Sequence, residues 1–286
     1  MPPDPHTAAL RRFNRTYTQR IGALDDSFLG TGRPLNVSRV LFEIGPDGAT
    51  VRDLRERLDL DSGYVTRLLR RLTDDGLVEV RPDPADRRRR AATLTAAGLE
   101  SWRDLDRRSE ELARRLVSPL TGRQRARLTD ALATADLLVR AATIQLREVR
   151  PDDPAARAAA RRYFDELERR FPDGFDPGEP DHAGTFLLAT SAGQPVAYGG
   201  VRPVTGDTGE VKRMWVDRAW RGAGLGGRML RELEALARRL GHRRIVLDTN
   251  STLVEAIAMY ERSGYSRIAR YNDNPYAEAW FEKQLS

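Results

Sequence analysis

Cysteine is absent from this 286-residue sequence, which excludes disulfides, thiolate zinc sites and cysteine nucleophiles. Histidine is scarce: His6, His182 and His242 lie far apart with no metal-ligand spacing, so no metal site is expected. No apolar run approaches the ~20 residues that span a bilayer, and the opening MPPDPHTAAL lacks the basic and apolar regions of a signal peptide. A cytoplasmic protein with no membrane partner is the expectation. Gly/Ser-rich runs are missing as well, so two domains would join without a flexible linker.

What is present in quantity is charge. Lys and Arg number 48 against 42 Asp and Glu, a formal net charge of +6 that favours polyanionic partners. The length suffices for two domains, each burying its own core.

The most telling stretch is Val211 to Gly227, VKRMWVDRAWRGAGLGG. An apolar strand with Met214, Trp215 and Val216 runs through a polar loop into Arg221-Gly222-Ala223-Gly224-Leu225-Gly226-Gly227, then into a helical segment from Arg228 to Leu240. Strand, glycine turn and helix start make an anion site, because unpaired helix N–H groups point at the turn and glycine lets a phosphate come close. Gly222, Gly224 and Gly227 also spell G-x-G-x-x-G, with Asp248 after Ile245-Val246-Leu247 as a candidate ribose acid. Against that dinucleotide reading, Asp217 to Arg221 separate the strand from the first glycine, and too little chain follows for a doubly wound sheet.

In the first half, Leu10, Phe13, Tyr17 and Ile21 repeat with helical period, Pro34 opens a second helix, and Thr50-Val-Arg-Asp caps a short third. Val65, Leu68, Leu69 and Leu72 then form one stripe, with Ser62, Tyr64, Thr66, Arg67, Arg70 and Arg71 covering the remaining surface. A short helix, a turn and a second helix with small polar and basic residues outside is the layout of a helix-turn-helix. Leu77 to Arg81 and Ala91 to Leu94 read as two strands around a loop ending in Arg87-Arg88-Arg89-Arg90, a basic wing able to reach phosphates or a narrow minor groove. Tyr64 can equally sit at the edge of the core.

Three motifs here, Asp74-Asp75-Gly76-Leu77-Val78, Asp83-Pro84-Ala85-Asp86-Arg87-Arg88 and Leu94-Thr95-Ala96-Ala97-Gly98, resemble the MarR family of winged-helix regulators over roughly residues 5 to 145. The resemblance implies double-stranded DNA as partner. It also implies bracing between Asp86 and Arg88, with Arg87, Arg89 and Arg90 as helpers. Two long helical patterns, 96–116 and 122–142, with the N-terminal helix, would build a homodimer that spaces two recognition helices for successive major grooves.

Near Ala142 the pattern changes to alternating strands and helices, which implies an α/β mixed sheet and a domain boundary at 143/144. Arg221-x-x-Gly224-x-Gly226, with Glu210 to Val216, Asn250 and Ala256-Ile-Ala-Met-Tyr260-Glu-Arg-Ser-Gly264-Tyr265, resembles the GNAT acetyltransferases. Tyr265 stands where the family usually has Phe. The fold expected is therefore a mainly α winged helix-turn-helix domain, 1–143, followed by an α/β acyl-CoA N-acyltransferase domain, 144–286.

Acetyl-CoA as cosubstrate follows from that resemblance. Acetyl transfer needs a bound thioester, a deprotonated amine, donors for the oxyanion and a proton for the leaving thiolate. The resemblance gives the diphosphate to N–H groups of Leu225, Gly226 and Gly227, and the thioester carbonyl to backbone near Val216. Tyr260 is the candidate acid, as a phenol of reference pKa near 10 can donate to a thiolate; it can also be core. Glu210 is a candidate base if it faces the cleft, or a strand residue paired with Lys212 or Arg213. Asn250 either holds the pantetheine arm or caps the next helix. Phe175 to Ala183 and Tyr271 to Tyr276 are expected to line the amine pocket. Three functional readings follow: a regulator that is also an enzyme, a regulator that only senses acyl-CoA, and an enzyme whose winged helix mainly dimerises.

Overall fold

The computed structural model describes residues 4–84, 86–171, 174–177, 183–191 and 193–285. Ala85 of the wing motif, Ala192 of a turn, and residues 178–182 of the expected acceptor loop, His182 among them, lie outside these. The chain forms two compact units, Met1–Thr129 and Asp130–Ser286.

The first unit runs α1 (Pro5–Arg20), α2 (Leu35–Ile44), β1 (Ala49–Thr50), α3 (Val51–Leu58), α4 (Ser62–Asp74), β2 (Val78–Pro82), β3 (Arg90–Leu94), α5 (Ala96–Val117) and the start of α6 (Gly122–Thr143). Side-chain caps set the helix starts: Asp4, Thr50, Asp61 and Thr95 each accept from a backbone N–H two or three residues on. The stripe Val65, Leu68, Leu69, Leu72 is buried against Val40, Leu41, Ile44 and Leu54, which turns the polar side of α4 outward. The three strands pair in the order β1-β3-β2. Gly98, in the first turn of α5, has a packing reason for being glycine. A Cβ there would lie 1.9 Å from the Leu77 carbonyl oxygen, where β2 begins.

In the second unit β4 (Leu146–Val149), α7 (Pro154–Arg170), β5 (Thr185–Ser191), β6 (Gln194–Thr205), β7 (Thr208–Val216), α8 (Leu225–Arg239), β8 (Arg244–Thr249), α9 (Val254–Arg262), β9 (Ser266–Ile268) and β10 (Ala279–Gln284) follow one another. The strands form one mixed sheet, β4-β5-β6-β7-β8-β10-β9. Alternation along β5 gives the sheet two buried faces: Phe186 and Leu188 pack with Ala156 and Ala159 of α7, Leu187 and Ala189 with the core that includes Leu230 and Leu233 of α8. The last turns of α6 belong to this unit, with Ala141 buried in its core and Leu137 and Ile144 packed against it. The compact units thus part earlier than the change of sequence pattern near residue 143.

Two irregularities position the site. Pairing of β7 with β8, the sheet's parallel pair, covers Thr208↔Arg244, Gly209↔Ile245 and Glu210↔Val246 and then stops, so the strands part beyond Glu210. On its other edge β7 bulges: Tyr198 faces Trp215 and Gly200 faces Lys212, leaving Arg213 and Met214 opposite Gly199. Arg213 takes φ 54, a left-handed conformation costing a side-chain-bearing residue about 1–2 kcal/mol.

Gly98→Ala is expected to destabilise the first unit by about 2 kcal/mol or more, since what the new methyl meets is Leu77 backbone and not a flexible side chain. Differential scanning calorimetry of the full chain would show one transition moved down and the other unchanged.

Candidate functional site

Two cavities open in the second unit. The first, about 540 Å3, lies where β7 and β8 part, bounded by Lys212, Arg213, Asp248, Asn250, Asn274 and an aromatic wall from α7 and the segment before β10. The second, about 610 Å3, is lined by Trp215, Val216, Arg221, Gly222, Gly224, Gly226 and Gly227 with Met259 and Ser263 of α9. Both are of a size for small ligands. They share Tyr163, Leu167, Met214, Leu253, Ala256 and Tyr260, so they meet around the Tyr260 ring.

The second cavity ends on the start of α8. Gly224 is its N-cap at φ 79, and among the described residues no side chain caps the helix. The first-turn N–H groups of Leu225, Gly226 and Gly227 therefore keep no intrahelical acceptor, while Arg228 N–H already bonds Gly224 O at 3.0 Å. An anion is the natural partner for those donors. Arg221 stands beside them, its Nη2 donating to both oxygens of Glu166 at 2.6 Å and its Nε to the Val216 carbonyl at 3.0 Å. Glu166 also accepts from Trp215 Nε1 at 3.0 Å and pairs with Arg170 at 3.0 Å. Burial alone would raise the Glu166 carboxyl, but the hydrogen bonds from Arg221 and Trp215 and the charges of Arg221 and Arg170 hold it below the usual range.

Tyr260 is buried on α9 with its ring against Tyr265 and Phe281. Burial, reinforced by Tyr163 and Asp248 nearby, pushes its phenol well above the ordinary value, so it keeps its proton.

Beside the parting strands lies a buried network of charge. Glu210 is fully buried and takes four donors: Arg202, Lys212 at 3.0 Å, Tyr271 Oη at 2.7 Å and Asn272 Nδ2 at 3.2 Å. Asp248 takes Lys212 Nζ at 2.9 Å, Asn274 Nδ2 at 2.5 Å and Asn272 Nδ2 at 3.2 Å. Desolvation opposes its charge, but Lys212 and the two amides outweigh it and hold the carboxyl below its normal value. Burial and the neighbouring Glu210 push the Tyr271 phenol up, so it stays a donor.

In the first unit Ser62, Thr66, Arg67, Arg70 and Arg71 are exposed along α4. Tyr64 is half-buried, packs at the core edge, accepts from Asn36 Nδ2 at 2.6 Å and carries the Arg67 guanidinium over its ring. At the wing Asp86 pairs with Arg89 at 3.2 Å and accepts from the Arg88 backbone N–H at 3.1 Å, while Arg90 Nη2 donates to Val80 O at 3.1 Å. Arg87 and Arg88 are exposed.

Comparison with known proteins agrees with this geometry. The Acetyltransferase (GNAT) family matches residues 142–265, and the MarR family matches residues 31–89. IAA acetyltransferase of Azospirillum brasilense is 32% identical over 119 residues, 38% of this chain and 77% of that protein. The chain belongs to the GNAT acetyltransferase family, with a MarR-family segment ahead of it. An uncharacterized N-acetyltransferase of Escherichia coli, YjgM, is 36% identical over 93 residues, 32% of this chain and 54% of its own length. An uncharacterized HTH-type transcriptional regulator of Bacillus subtilis, YdgJ, is 30% identical over 87 residues, 30% of this chain and 53% of its own. The chain thus spans about half the length of these last two relatives.

Set on the GNAT domain, the residues expected from the sequence divide. Met214, Trp215, Val216, Arg221, Gly222, Gly224, Gly226 and Gly227 gather around one cavity, and Tyr260 faces it. Ala223 and Leu225 lie against the core instead. Asn250 lines the other cavity, accepting from Thr252 and donating to the Tyr276 carbonyl at 2.9 Å, so it holds a loop there. Glu210 lines neither cavity, and its oxygens are committed to four donors, so its side chain does not face the cleft. In the MarR segment the Asp86 side chain meets that of Arg89, whereas the resemblance implied Arg88. Sequence reasoning missed Glu166, Tyr163 and the Lys212–Asp248 pair. For Glu166 the local pattern showed only an i,i+4 partner in Arg170, which reads as a surface pair.

The depressed Asp248 carboxyl gives a signed expectation. Its pairing contributes stability above the unfolded carboxyl pKa of about 4, and that stability is lost as pH falls through the lower folded value. Lys212→Met leaves two buried carboxylates short of a cation, which costs about 3–5 kcal/mol. Urea titrations across pH would show the variant less stable at neutral pH and its acid unfolding moved to higher pH; unchanged curves would contradict the network.

Proposed function

We propose that the second unit transfers an acetyl group from acetyl-CoA to an amine, and that the first unit binds double-stranded DNA as a homodimer. What carries the enzymatic reading is Tyr260, a proton-holding phenol at the one place where a glycine-lined anion cavity meets a second cavity. The uncapped first turn of α8 fits the diphosphate of coenzyme A, and Val216 to Gly227 fit the arm leading inward. When bound, acetyl-CoA supplies an activated acetyl thioester. The β7 edge from Val211 to Val216, released from β8, offers backbone N–H groups to polarise a carbonyl. The amine nitrogen forms the new C–N bond as the C–S bond breaks. Tyr260 gives its proton to the departing sulfur, and the proton shed by the nitrogen returns to Tyr260 through solvent. Glu210 has an organising part: it fixes Arg202 and Lys212 of the cavity lining, and Tyr271 beside them, rather than acting as base.

DNA binding rests on the exposed basic side of α4 and on the wing, where Asp86 shapes the loop and Arg87 and Arg88 stand free to reach phosphates. A homodimer is supported by apolar side chains left at the surface of the single chain: Leu10, Phe13 and Tyr17 on α1, and Leu132, Leu138 and Val139 on α6.

Two measurements test these parts. Tyr260→Phe is expected to lower kcat by about 10²–10⁴-fold with acetyl-CoA affinity nearly unchanged, read by thiol release and calorimetry; an undiminished kcat removes the acid role, and binding without turnover over a panel of amines favours an acyl-CoA sensor. Replacing Arg87 and Arg88 with Ala is expected to weaken binding to a mixed-sequence duplex and to flatten the log–log salt dependence by about 0.9 per lost phosphate contact. An unchanged slope in fluorescence anisotropy would remove the wing from the interface.

A further inference from the structure

We propose that the acceptor is a small primary amine carrying an aryl group, with its ring on the aromatic wall of the 540 Å3 cavity and its nitrogen toward Tyr260. This rests on the acetyltransferase reading above and adds the substrate class to it.

The wall is built from three stretches of chain. Phe164 comes from α7, Phe171 and Phe175 from the segment after it, and Tyr276 from the segment before β10; all four line the cavity and all are only partly buried. Their rings pack as a cluster: Phe171, Phe175 and Tyr276 contact one another at 4.8–5.9 Å, and Phe164 joins them through Phe175 at 5.7 Å. Four partly buried aromatic side chains on one side of one cavity offer an apolar wall to a ligand.

The cluster is fixed in advance. The Tyr276 carbonyl accepts from Asn250 Nδ2 at 2.9 Å, its N–H donates to Asn274 Oδ1 at 3.1 Å, and its hydroxyl accepts from the Asp176 N–H at 2.8 Å. Asn274 is tied in turn to Asp248. A ring held at its backbone and at its tip loses little freedom when a second ring packs on it, so binding there is preorganised. Aryl groups gain most from such a wall, through offset or edge contacts with ring faces.

Charge around the cavity gives the other common amine acceptors no advantage. Arg202, Lys212 and Arg213 line it, and the Arg213 guanidinium already lies over the Phe164 ring at 5.4 Å. The carboxylate of Asp248 is taken up by Lys212 and two amides. With Asp176 also in the lining and Arg202 and Lys212 offset by Glu210 and Asp248, the cavity has no surplus of negative charge to draw the second ammonium of a polyamine. An aryl amine presents a single ammonium, lost before reaction, and an uncharged ring.

The test uses the full chain with acetyl-CoA, reading thiol release and acetylated product by mass spectrometry. The acceptors are phenethylamine, phenylalanine, n-hexylamine, spermidine and a lysine-containing peptide. The better of the two aryl amines is expected to exceed n-hexylamine in kcat/KM by about tenfold or more, chiefly through KM, and Phe175→Leu or Tyr276→Leu is expected to erase that preference by lowering kcat/KM for the aryl amine more than for n-hexylamine. Equal or better use of n-hexylamine, spermidine or the peptide overturns the aryl assignment and leaves acetyl transfer standing. If no amine is acetylated, the catalytic reading fails by itself. Calorimetric titration of phenethylamine and n-hexylamine into the acetyl-CoA complex then decides the pocket: tighter aryl binding sustains the assignment, and equal or weaker binding ends it.

Discussion

Two parallel strands that begin as hydrogen-bonded neighbours and then part need something other than backbone to hold the gap. Here it is the ammonium of Lys212. Backbone pairing of β7 with β8 ends at Glu210↔Val246, and two residues on, where Lys212 and Asp248 would be next in register, their side chains bridge the opening at 2.9 Å. The same ammonium reaches Glu210 at 3.0 Å, and Arg202 completes the set of two cations and two carboxylates. Burying such charges is costly unless every lone pair is used, and Tyr271, Asn272 and Asn274 use the rest. The segment before β10 is thereby folded back over the opening and carries Tyr276 to the cavity wall.

The rest of the GNAT domain builds on that gap. The bulge at Arg213 and Met214 turns β7 as it leaves β8, and the chain then runs through Trp215 and Val216 to the glycine turn. Glu166 ties this turn to α7 through Arg221 and Trp215, so one carboxylate sets the distance between a helix and the loop beneath it. Arg228, in the first turn of α8, donates to the carbonyls of Ala141 and Ala142 at 3.1 and 3.2 Å, and Arg140 lies over the Trp220 ring at 4.5 Å. The end of α6 is thus fastened beside the same loop, which explains why its last turns pack with this unit.

Local chemistry was legible in the sequence, and long-range pairing was not. The glycine turn, the stripe of α4, the motif ending at Gly98 and Tyr260 on α9 all declare themselves within a dozen residues, through period, turn residues and caps. Gly98 even has its reason in the fold, the close approach of the Leu77 carbonyl. Glu210 was different, because alternation along a strand gives only the face a side chain takes. It does not reveal that Tyr271 and Asn272, far along the chain, would fill its acceptor sites. Asn250 read as a cofactor residue, with a helix cap as the alternative, and the return of Tyr276 places it on the border of the other cavity. The wing brace moved by one residue, from Arg88 to Arg89, because the spacing in the loop decides which guanidinium reaches Asp86.

The most direct test is a crystal structure of the full chain with acetyl-CoA. The diphosphate is expected on the N–H groups of Leu225, Gly226 and Gly227, the thioester carbonyl against the β7 backbone between Met214 and Val216, and the sulfur within hydrogen-bond reach of the Tyr260 hydroxyl. Coenzyme A bound elsewhere, or a sulfur out of hydrogen-bond reach of Tyr260, would contradict it.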